Sequence, residues 1–244
     1  MTFNPDSYNT ASTVMHAAQG AALLVLGLTE AYAVREPGGR MKLASPLVFL
    51  LCGTAMLLAM LYFLGGWSLK NALFSLRIKS GFYIFISFAC FYASAGLSQL
   101  TFFATEEKGR GWHYLFLAFL AVIGLLYFGM SQKVNSGAAV EVAAYHSAFG
   151  FTLLAAVIFK FLHGFRPRKA FNLAWIVLLL VSSFQLLSYR EVAGAFDLAA
   201  LKPQAPILMV LPPAKVARSG ADSPGRSGGA KQDVKPAHTE RAGN

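Results

Sequence analysis

The sequence predicts an all-α integral membrane protein with six transmembrane helices. Of its 244 residues, 56% are hydrophobic and only 13% are charged, whereas a soluble domain usually carries about 25% charged residues. The charges are clustered, which leaves six long uncharged windows, and a helix needs about 20 apolar residues to cross a bilayer. If these helices formed the core of a water-soluble protein, almost every one of them would lack a polar face, which is unusual. The predicted spans are 12–34, 44–65, 81–103, 112–130, 142–162 and 171–188.

A break rich in glycine separates the first two predicted helices. Ser12 and Thr13 stand just ahead of the first apolar run, and both residue types are common helix N-caps. Pro37, Gly38 and Gly39 end this helix. The second helix is almost wholly aliphatic and also ends at glycines. The two helices are therefore predicted to be joined by a short basic loop.

The middle of the chain alternates amphipathic and apolar segments. Apolar and basic residues are mixed over 68–80, which predicts a short helix lying on the membrane surface. The third span, 81–103, is rich in small residues, and small residues allow close contact between helices in lipid. The fourth opens with Trp112, His113 and Tyr114, and aromatic residues at a helix mouth are typical of the membrane interface.

The composition changes after the sixth span. The segment 192–211 is moderately apolar but contains Asp197, Lys202 and two prolines. Charge and proline are both costly at mid-span, so we treat this stretch as an uncertain apolar segment and leave open a weak seventh span. The segment 212–244 is rich in glycine, proline, serine and charge, which predicts a disordered basic tail.

The net charge of +10 comes from basic residues in the loops and the tail. Membrane proteins distribute basic residues in this way, so the expected partner is anionic lipid and not nucleic acid. Association with partner membrane subunits or with further copies of the chain is left open. The loops predict no single orientation: the inner loops hold nine basic residues with the N-terminus outside and six with it inside, and the tail adds six to the second count.

One short motif occurs twice, at 16–24 and at 146–154. Both copies read H-x-A-x-G-x-x-L-L and both lie in uncharged apolar runs. Each run is followed by a basic loop and then by another apolar run. The pattern is typical of a duplicated helix–loop–helix unit, although residues of these types also recur by chance in membrane helices.

Four of the five histidines lie in or beside the apolar runs, where polar groups are costly and often functional. His16 and His146 begin spans that run in the same direction, so we expect them at matched depth in one leaflet. His113 and His163 are expected near the opposite surface. One hypothesis is that His16 and His146 hydrogen-bond across the bundle, while His113 and His163 lie among the headgroups.

The second hypothesis is that His16 and His146 bind a haem iron from both sides. Gly20 and Gly150 follow four residues later on the same helical faces, where they could make room for a flat macrocycle. The stretch from His146 through Gly150 to Lys160-Phe161-Leu162-His163 resembles the helix that carries two haem ligands in membrane cytochrome b subunits of the nitrate-reductase type.

This resemblance implies a membrane electron-transfer subunit with haem b on His16 and His146. It also implies a second haem near His113 and His163. The 17 residues from His146 to His163 place the two rings about 100° apart around an ideal helix. A local unwinding would be needed to turn both rings inward.

A second resemblance covers the stretch from Tyr8 to Leu26. Its pattern Y-N…V-M-H-x-x-Q-G-A resembles the first helix of heliorhodopsins, and 125–132 is similar to the end of their fourth helix. The resemblance implies retinal bound to a lysine, for which Lys202 is the late lysine next to an apolar run. A counter-ion is not matched, because the third span contains no carboxylate.

Three functional classes follow from the sequence: a haem-binding electron-transfer subunit, a heliorhodopsin-like protein, and a structural or transport subunit without a cofactor. The chain contains no recognisable catalytic motif, no cysteine metal site and no phosphate-binding loop, so an enzyme is not favoured. Glu30, Glu141 and Asp197 lie at span ends or in the uncertain segment, which disfavours an ion-coupled pump.

Overall fold

The computed structural model describes residues 4–36, 40–105 and 109–197, and it confirms the predicted all-α class. The described residues form seven α-helices and contain no strand. Together with short 3₁₀ turns at their ends, six of these helices are long and apolar enough to cross a membrane. The chain is thus a polytopic integral membrane protein. The helices are α1 (Pro5–Ala33), α2 (Ala44–Gly65), α3 (Leu69–Ile78), α4 (Tyr83–Ala104), α5 (Arg110–Leu126), α6 (Ala139–Phe165) and α7 (Lys169–Ser188).

The six long helices form a closed ring in chain order. Helix α2 packs against α1 and α4, α5 packs against α4 and α6, and α7 lies between α6 and α1. The interior is filled by large buried side chains such as Phe49, Phe116 and Trp175. Because α1 and α6 both pack against α7, inward-facing side chains of these two helices can meet inside the ring.

The first helix begins earlier than the sequence indicated. Asn4 is its N-cap, with the side-chain oxygen accepting from the Asp6 amide at 3.0 Å, and Pro5 suits the first helical position. The expectation that Ser12 and Thr13 cap the helix was wrong, because both lie within α1. Ser12 is fully buried, so its hydroxyl is available to the interior of the bundle.

The fourth span also extends beyond its predicted end. After α5 the chain winds more tightly in a 3₁₀ segment, Tyr127–Lys133. This segment carries Lys133 inside the bundle, where the residue is only 1% exposed. From its place between the fourth and fifth predicted spans, Lys133 was expected in a loop.

The predicted amphipathic segment is the short helix α3. The Ser68 hydroxyl accepts from the Asn71 amide at its N-terminus, and one face buries Ala72 and Leu76. The Tyr8 hydroxyl donates to the Ser75 carbonyl at 2.9 Å. Helix α3 is therefore fixed to the first turns of α1.

Small residues bring α2 and α4 into close contact, as the sequence predicted for the third span. A Cβ atom at Gly96 would lie 2.7 Å from the Pro46 carbonyl oxygen and 2.9 Å from the Leu50 amide nitrogen. A Cβ at Gly53 would meet the Ala89 carbonyl in the same interface. The two backbones can approach this closely only because these positions carry no side chain.

The residues after α7 are described only as far as position 197. Tyr189 and Glu191 lie against the bundle, and 193–197 form turns with no helix. Lys202, the remainder of the uncertain segment and the 212–244 tail lie outside the described residues.

Candidate functional site: a buried pair of histidines

His16 of α1 and His146 of α6 meet inside the ring. Their Nε2 atoms are 3.0 Å apart, and the two residues are 1% and 0% exposed. The hypothesis of a hydrogen bond across the bundle is confirmed by this distance. The two copies of the repeated motif thus place their histidines in direct contact.

The other ring nitrogen of each histidine faces a backbone carbonyl one turn earlier. His16 Nδ1 lies 2.7 Å from the Ser12 carbonyl oxygen, and His146 Nδ1 lies 2.7 Å from that of Val142. A carbonyl oxygen can only accept, so each Nδ1 must carry a proton and donate. This bond sets the tautomer and the orientation of each ring.

The three contacts of the pair need three N–H protons. A neutral imidazole has one N–H group, so two neutral rings supply two, and both are used at the Ser12 and Val142 carbonyls. Two neutral rings would then point two Nε2 lone pairs at each other across 3.0 Å. One additional proton between the Nε2 atoms replaces this repulsion by a charge-assisted hydrogen bond. With that proton, the two rings would form an imidazole–imidazolium pair.

A buried ion pair lies next to His16. The Lys133 ammonium donates to the Glu191 carboxylate and, at 2.8 Å, to the Ser12 hydroxyl. The Ser12 hydroxyl itself donates to Glu191. The nearer carboxylate oxygen of Glu191 is 3.9 Å from His16 Nδ1. Lys133 and Glu191 are therefore a neutral pair, and the shared proton would be the net charge of the cluster.

Aromatic rings surround the pair. The Tyr189 ring centroid is 4.8 Å from each imidazole centroid, and its hydroxyl donates to Glu191 at 3.0 Å. The Phe85 ring lies 5.7 Å from the His16 ring, nearly perpendicular to it, and 5.1 Å from the Lys133 ammonium. These rings exclude water from the cluster while offering π faces to its cations.

The segment after α7 supplies the carboxylate, and its charge state is set by its neighbours. Burial raises the pKa of Glu191, but the Lys133 ammonium and the hydrogen bonds from Lys133 and Ser12 lower it, so that the pKa lies below its usual value. Burial, followed by the nearby charge of Glu191, raises the pKa of Tyr189. Glu191 is thus an anion and Tyr189 a neutral hydrogen-bond donor.

A second polar layer continues from the pair toward the centre of the bundle. The Tyr127 hydroxyl donates to Gln19 Oε1 at 2.8 Å, and both side chains are buried. Beyond Gln19, the buried α1 residues Leu23 and Leu26 are apolar. The polar cluster therefore ends at an apolar layer in the interior.

At the other end of the same two helices, Glu30 of α1 accepts from Lys160 of α6 at 2.5 Å. The sequence separation is 130 in this pair and also in the histidine pair. Helices α1 and α6 therefore run in register, with the two contacts about 21 Å apart along each axis.

His113 and His163 lie toward that opposite end, as expected, and have different neighbours. The His163 Nδ1 atom is 3.1 Å from the Arg168 carbonyl oxygen. The His113 ring packs 5.3 Å from that of Phe102. Neither contact resembles the buried pair formed by His16 and His146.

The arrangement of His16 and His146 does not fit a haem. Metal–nitrogen bonds of about 2.0–2.1 Å on both sides of an iron would separate the two Nε2 atoms by about 4 Å, against 3.0 Å here. The glycines do not make room for a macrocycle either. A Cβ at Gly20 would lie 2.8 Å from the Leu187 side chain, and one at Gly150 would lie 2.7 Å from the Gly124 carbonyl. Both glycines serve helix packing.

An open cleft of about 460 Å³ lies between α6 and the end of α7, on the outer side of Tyr189. Tyr189 and Glu191 line it and also contact the histidine cluster. The other polar or charged residues that line the cleft are Glu141, Tyr145, Gln185, Ser188 and Arg190.

Sequence reasoning found the two histidines but missed Ser12, Lys133, Tyr189 and Glu191. Lys133 and Glu191 lie just beyond the ends of uncharged windows, where charged residues normally reach solvent. The available signal was the isolation of Lys133, the lone basic residue between the fourth and fifth spans.

Comparison with known proteins gave no assignment: no family model, no curated protein and no solved structure matches this chain.

Proposed function

We propose that this chain is a proton-translocating membrane protein in which His16 and His146 hold one transferable proton between their Nε2 atoms. The observation that supports the proposal is the count of donors: three contacts that need N–H groups are made by two imidazoles. Histidine is the side chain whose charge changes most readily between pH 5 and 8. A shared proton at this position is therefore one that the protein can exchange.

Some features of the site favour the protonated histidine pair and others disfavour it. Removal from water disfavours the imidazolium, and the Lys133 ammonium repels it. The Glu191 carboxylate, the two carbonyl acceptors and the short Nε2–Nε2 distance favour it. These opposing effects act on the same proton, as is expected of a site that gains and loses one.

The proton's route follows the polar groups. The cleft lies against Tyr189 and Glu191, and the Glu191 carboxylate lies 3.9 Å from His16 Nδ1. On the inner side, Gln19 and Tyr127 continue the polar groups for one layer. The leucines beyond them form the barrier that the protein must open or hydrate to complete the transfer.

Proton flux into proteoliposomes tests the proposal. Vesicles containing a pH-sensitive dye are given an inside-negative potential with potassium and valinomycin. We expect the wild type to acidify the lumen faster than empty vesicles, and His146→Gln to reduce the protein-dependent rate by about tenfold or more. His163→Gln is the matched control and should leave the rate unchanged. Equal rates for the wild type and His146→Gln would contradict the proposal.

A second proposal is a haem-binding electron-transfer subunit, which would require His16 and His146 to move apart from their 3.0 Å contact, and one observation favours it. Metal-binding histidines usually donate their other ring N–H to a carbonyl or a carboxylate, as both histidines do here. An absorption spectrum of the purified protein, oxidised and then reduced with dithionite, separates the two proposals. A Soret band that is lost in His16→Ala would favour haem, and a colourless sample from haem-replete cells would remove it.

The heliorhodopsin-like reading also stays a prediction. Its retinal lysine, Lys202, lies outside the described residues. Lys133 is a buried lysine, but its ammonium already donates to Glu191 and Ser12. Incubation with retinal, followed by a search for an absorption band dependent on Lys202, tests this reading.

A further inference from the structure

We infer that the cleft between α6 and the end of α7 binds an ammonium group, and that this cation competes with the proton shared by His16 and His146. The inference rests on the proposed function for the competing proton, while the cleft itself is argued from its own lining. The ligand class is a primary or quaternary ammonium, carried by a free organic cation or by a lipid headgroup.

The lining of the cleft is rich in acceptors. Glu141 contributes a carboxylate to the lining, and the Glu191 carboxylate, which already accepts from Lys133, Ser12 and Tyr189, lies buried behind it. The Arg190 guanidinium already donates to the Tyr189 carbonyl at 3.2 Å. The Gln185 side-chain oxygen is buried and accepts no hydrogen bond from the described residues. A ligand that carries positive charge or donates hydrogen bonds would satisfy the Glu141 carboxylate and the Gln185 oxygen.

Two aromatic rings make the cleft suitable for an ammonium in particular. Tyr145 and Tyr189 lie 6.0 Å apart between centroids and at 66° to each other, which offers two ring faces at a corner. Aromatic faces next to carboxylates are the usual means by which proteins bind quaternary ammonium groups. The volume of about 460 Å³ is within the range of small-molecule sites.

The cleft shares two residues with the histidine cluster. The Tyr189 ring separates the cleft from both imidazoles, and Glu191 lines the cleft while its carboxylate lies 3.9 Å from His16. A cation in the cleft and a proton on the histidine pair would be stabilised by the same carboxylate and would repel each other. By linkage, protonation of the pair must weaken cation binding by the same factor by which the cation weakens protonation.

The pH dependence has a definite sign. The additional proton is present at low pH, so cation affinity should rise with pH as the pair loses that proton. The titratable and charged groups that face the pair or the cleft are Lys133 and Tyr127 from the 3₁₀ segment, Glu141 and Tyr145 from α6, and Tyr189, Arg190 and Glu191 after α7.

Binding of tetramethylammonium to the full chain in detergent tests the inference, with sodium chloride as the control for ionic strength. Calorimetry gives the affinity, and a pH dye in weak buffer gives the protons released. We expect saturable binding that releases up to one proton per cation. Glu141→Gln and Tyr145→Leu should each weaken the affinity by about tenfold or more. Glu36→Gln and Tyr62→Leu are the matched controls, since Tyr62 and Tyr145 are both 50% exposed.

Two further comparisons separate cation binding from competition with the shared proton. His146→Gln should still bind the cation but release no proton. If tetramethylammonium binds the wild type no better than the two cleft variants do, the inference is overturned, while the flux measurement still decides the proposed function. Wild-type binding without proton release would overturn the competition.

The source of the ammonium is decided in nanodiscs. If a headgroup occupies the cleft, phosphatidylcholine should compete with tetramethylammonium in the wild type, whereas phosphatidylglycerol, which has no ammonium, should not. If the ligand is a free cation, phosphatidylcholine should not compete, and both lipids should give the same affinity once high salt screens the negative charge of phosphatidylglycerol.

Discussion

At the scale of single residues, His16 and His146 each have both ring nitrogens committed to contacts inside the bundle. A glutamine amide at position 146 could donate to His16 Nε2 without any additional proton. An alanine there would leave His16 Nε2 buried without a donor, and an unsatisfied buried polar atom costs about 1–3 kcal/mol.

Comparing His146→Gln with His146→Ala should therefore separate the loss of the additional proton from the loss of a buried hydrogen-bond donor. We expect His146→Ala to lower the free energy of unfolding by about 1–3 kcal/mol, and His146→Gln to lower it less. Denaturant unfolding in mild detergent measures the difference. If glutamine were as damaging as alanine, the importance of a donor at this position would be contradicted.

A second residue-scale prediction concerns Glu191, which balances Lys133. Removing one partner of a buried ion pair typically costs about 3–5 kcal/mol, because the other charge is left uncompensated. Glu191→Gln should therefore be strongly destabilising. Lys133→Met combined with Glu191→Gln should recover part of the loss, and Glu36→Gln should have little effect.

The pH dependence of stability follows from the lowered pKa of Glu191. A carboxyl whose pKa is lower in the folded state than in the unfolded state contributes stability above the unfolded pKa, and this contribution is lost as the pH falls through the folded pKa. We expect thermal unfolding of the wild type to show this acid-side loss. In Glu191→Gln, the unfolding temperature should no longer fall in this way at acid pH. If its pH dependence is the same as in the wild type, the role given to Glu191 is contradicted.

At the scale of helices, the α2–α4 contact depends on positions without side chains. Gly96→Ala would place a Cβ 2.7 Å from a backbone oxygen, and overpacking of this kind costs about 1–3 kcal/mol. A Cβ at Gly111 of α5 would meet nothing within 4 Å, so Gly111→Ala should be neutral or slightly stabilising. Thermal unfolding of the two variants compares them directly, and equal midpoints would contradict the close contact.

The six spans could be predicted from the sequence because uncharged windows of about 20 residues have few alternatives to a membrane helix. The helix ends could not. Residues 5–11 contain Asp6 and Asn9 and read as an extramembrane lead, yet they are helical because Tyr8 and Ala11 are buried against neighbouring elements. Lys133 read as a loop cation, and only the tighter winding of the 3₁₀ segment carries it inward.

The candidate site could be predicted from the sequence only in part. The matched histidine motifs predicted that His16 and His146 could meet, because both begin spans of the same direction. Their ion-pair neighbours come from the end of the fourth span and from the segment after the sixth. These two segments are distant in sequence and meet only because the helices close into a ring. Hydropathy does not predict such a contact.

At the scale of the whole molecule, the alternation of six spans puts the histidine cluster, the cleft and the loop before α6 at one end of the bundle. The loop between α4 and α5 lies at the other end. Ser136 and Thr105 are exposed residues of these two loops. In a chain with Cys52 and Cys90 replaced by alanine, Ser136→Cys and Thr105→Cys should react with an impermeant thiol reagent from opposite sides of the membrane. Labelling of both from the same side would contradict six alternating spans.

The most direct test of the central claim is the protonation state of the two buried histidines. Nitrogen-15 NMR of histidine-labelled protein in nanodiscs distinguishes imidazole from imidazolium, with His16→Gln and His146→Gln for assignment. We expect three N–H groups shared by two rings near neutral pH, one of them between the Nε2 atoms, and the loss of one of these protons at high pH. Two neutral rings, each with a single N–H across the whole pH range, would contradict the account.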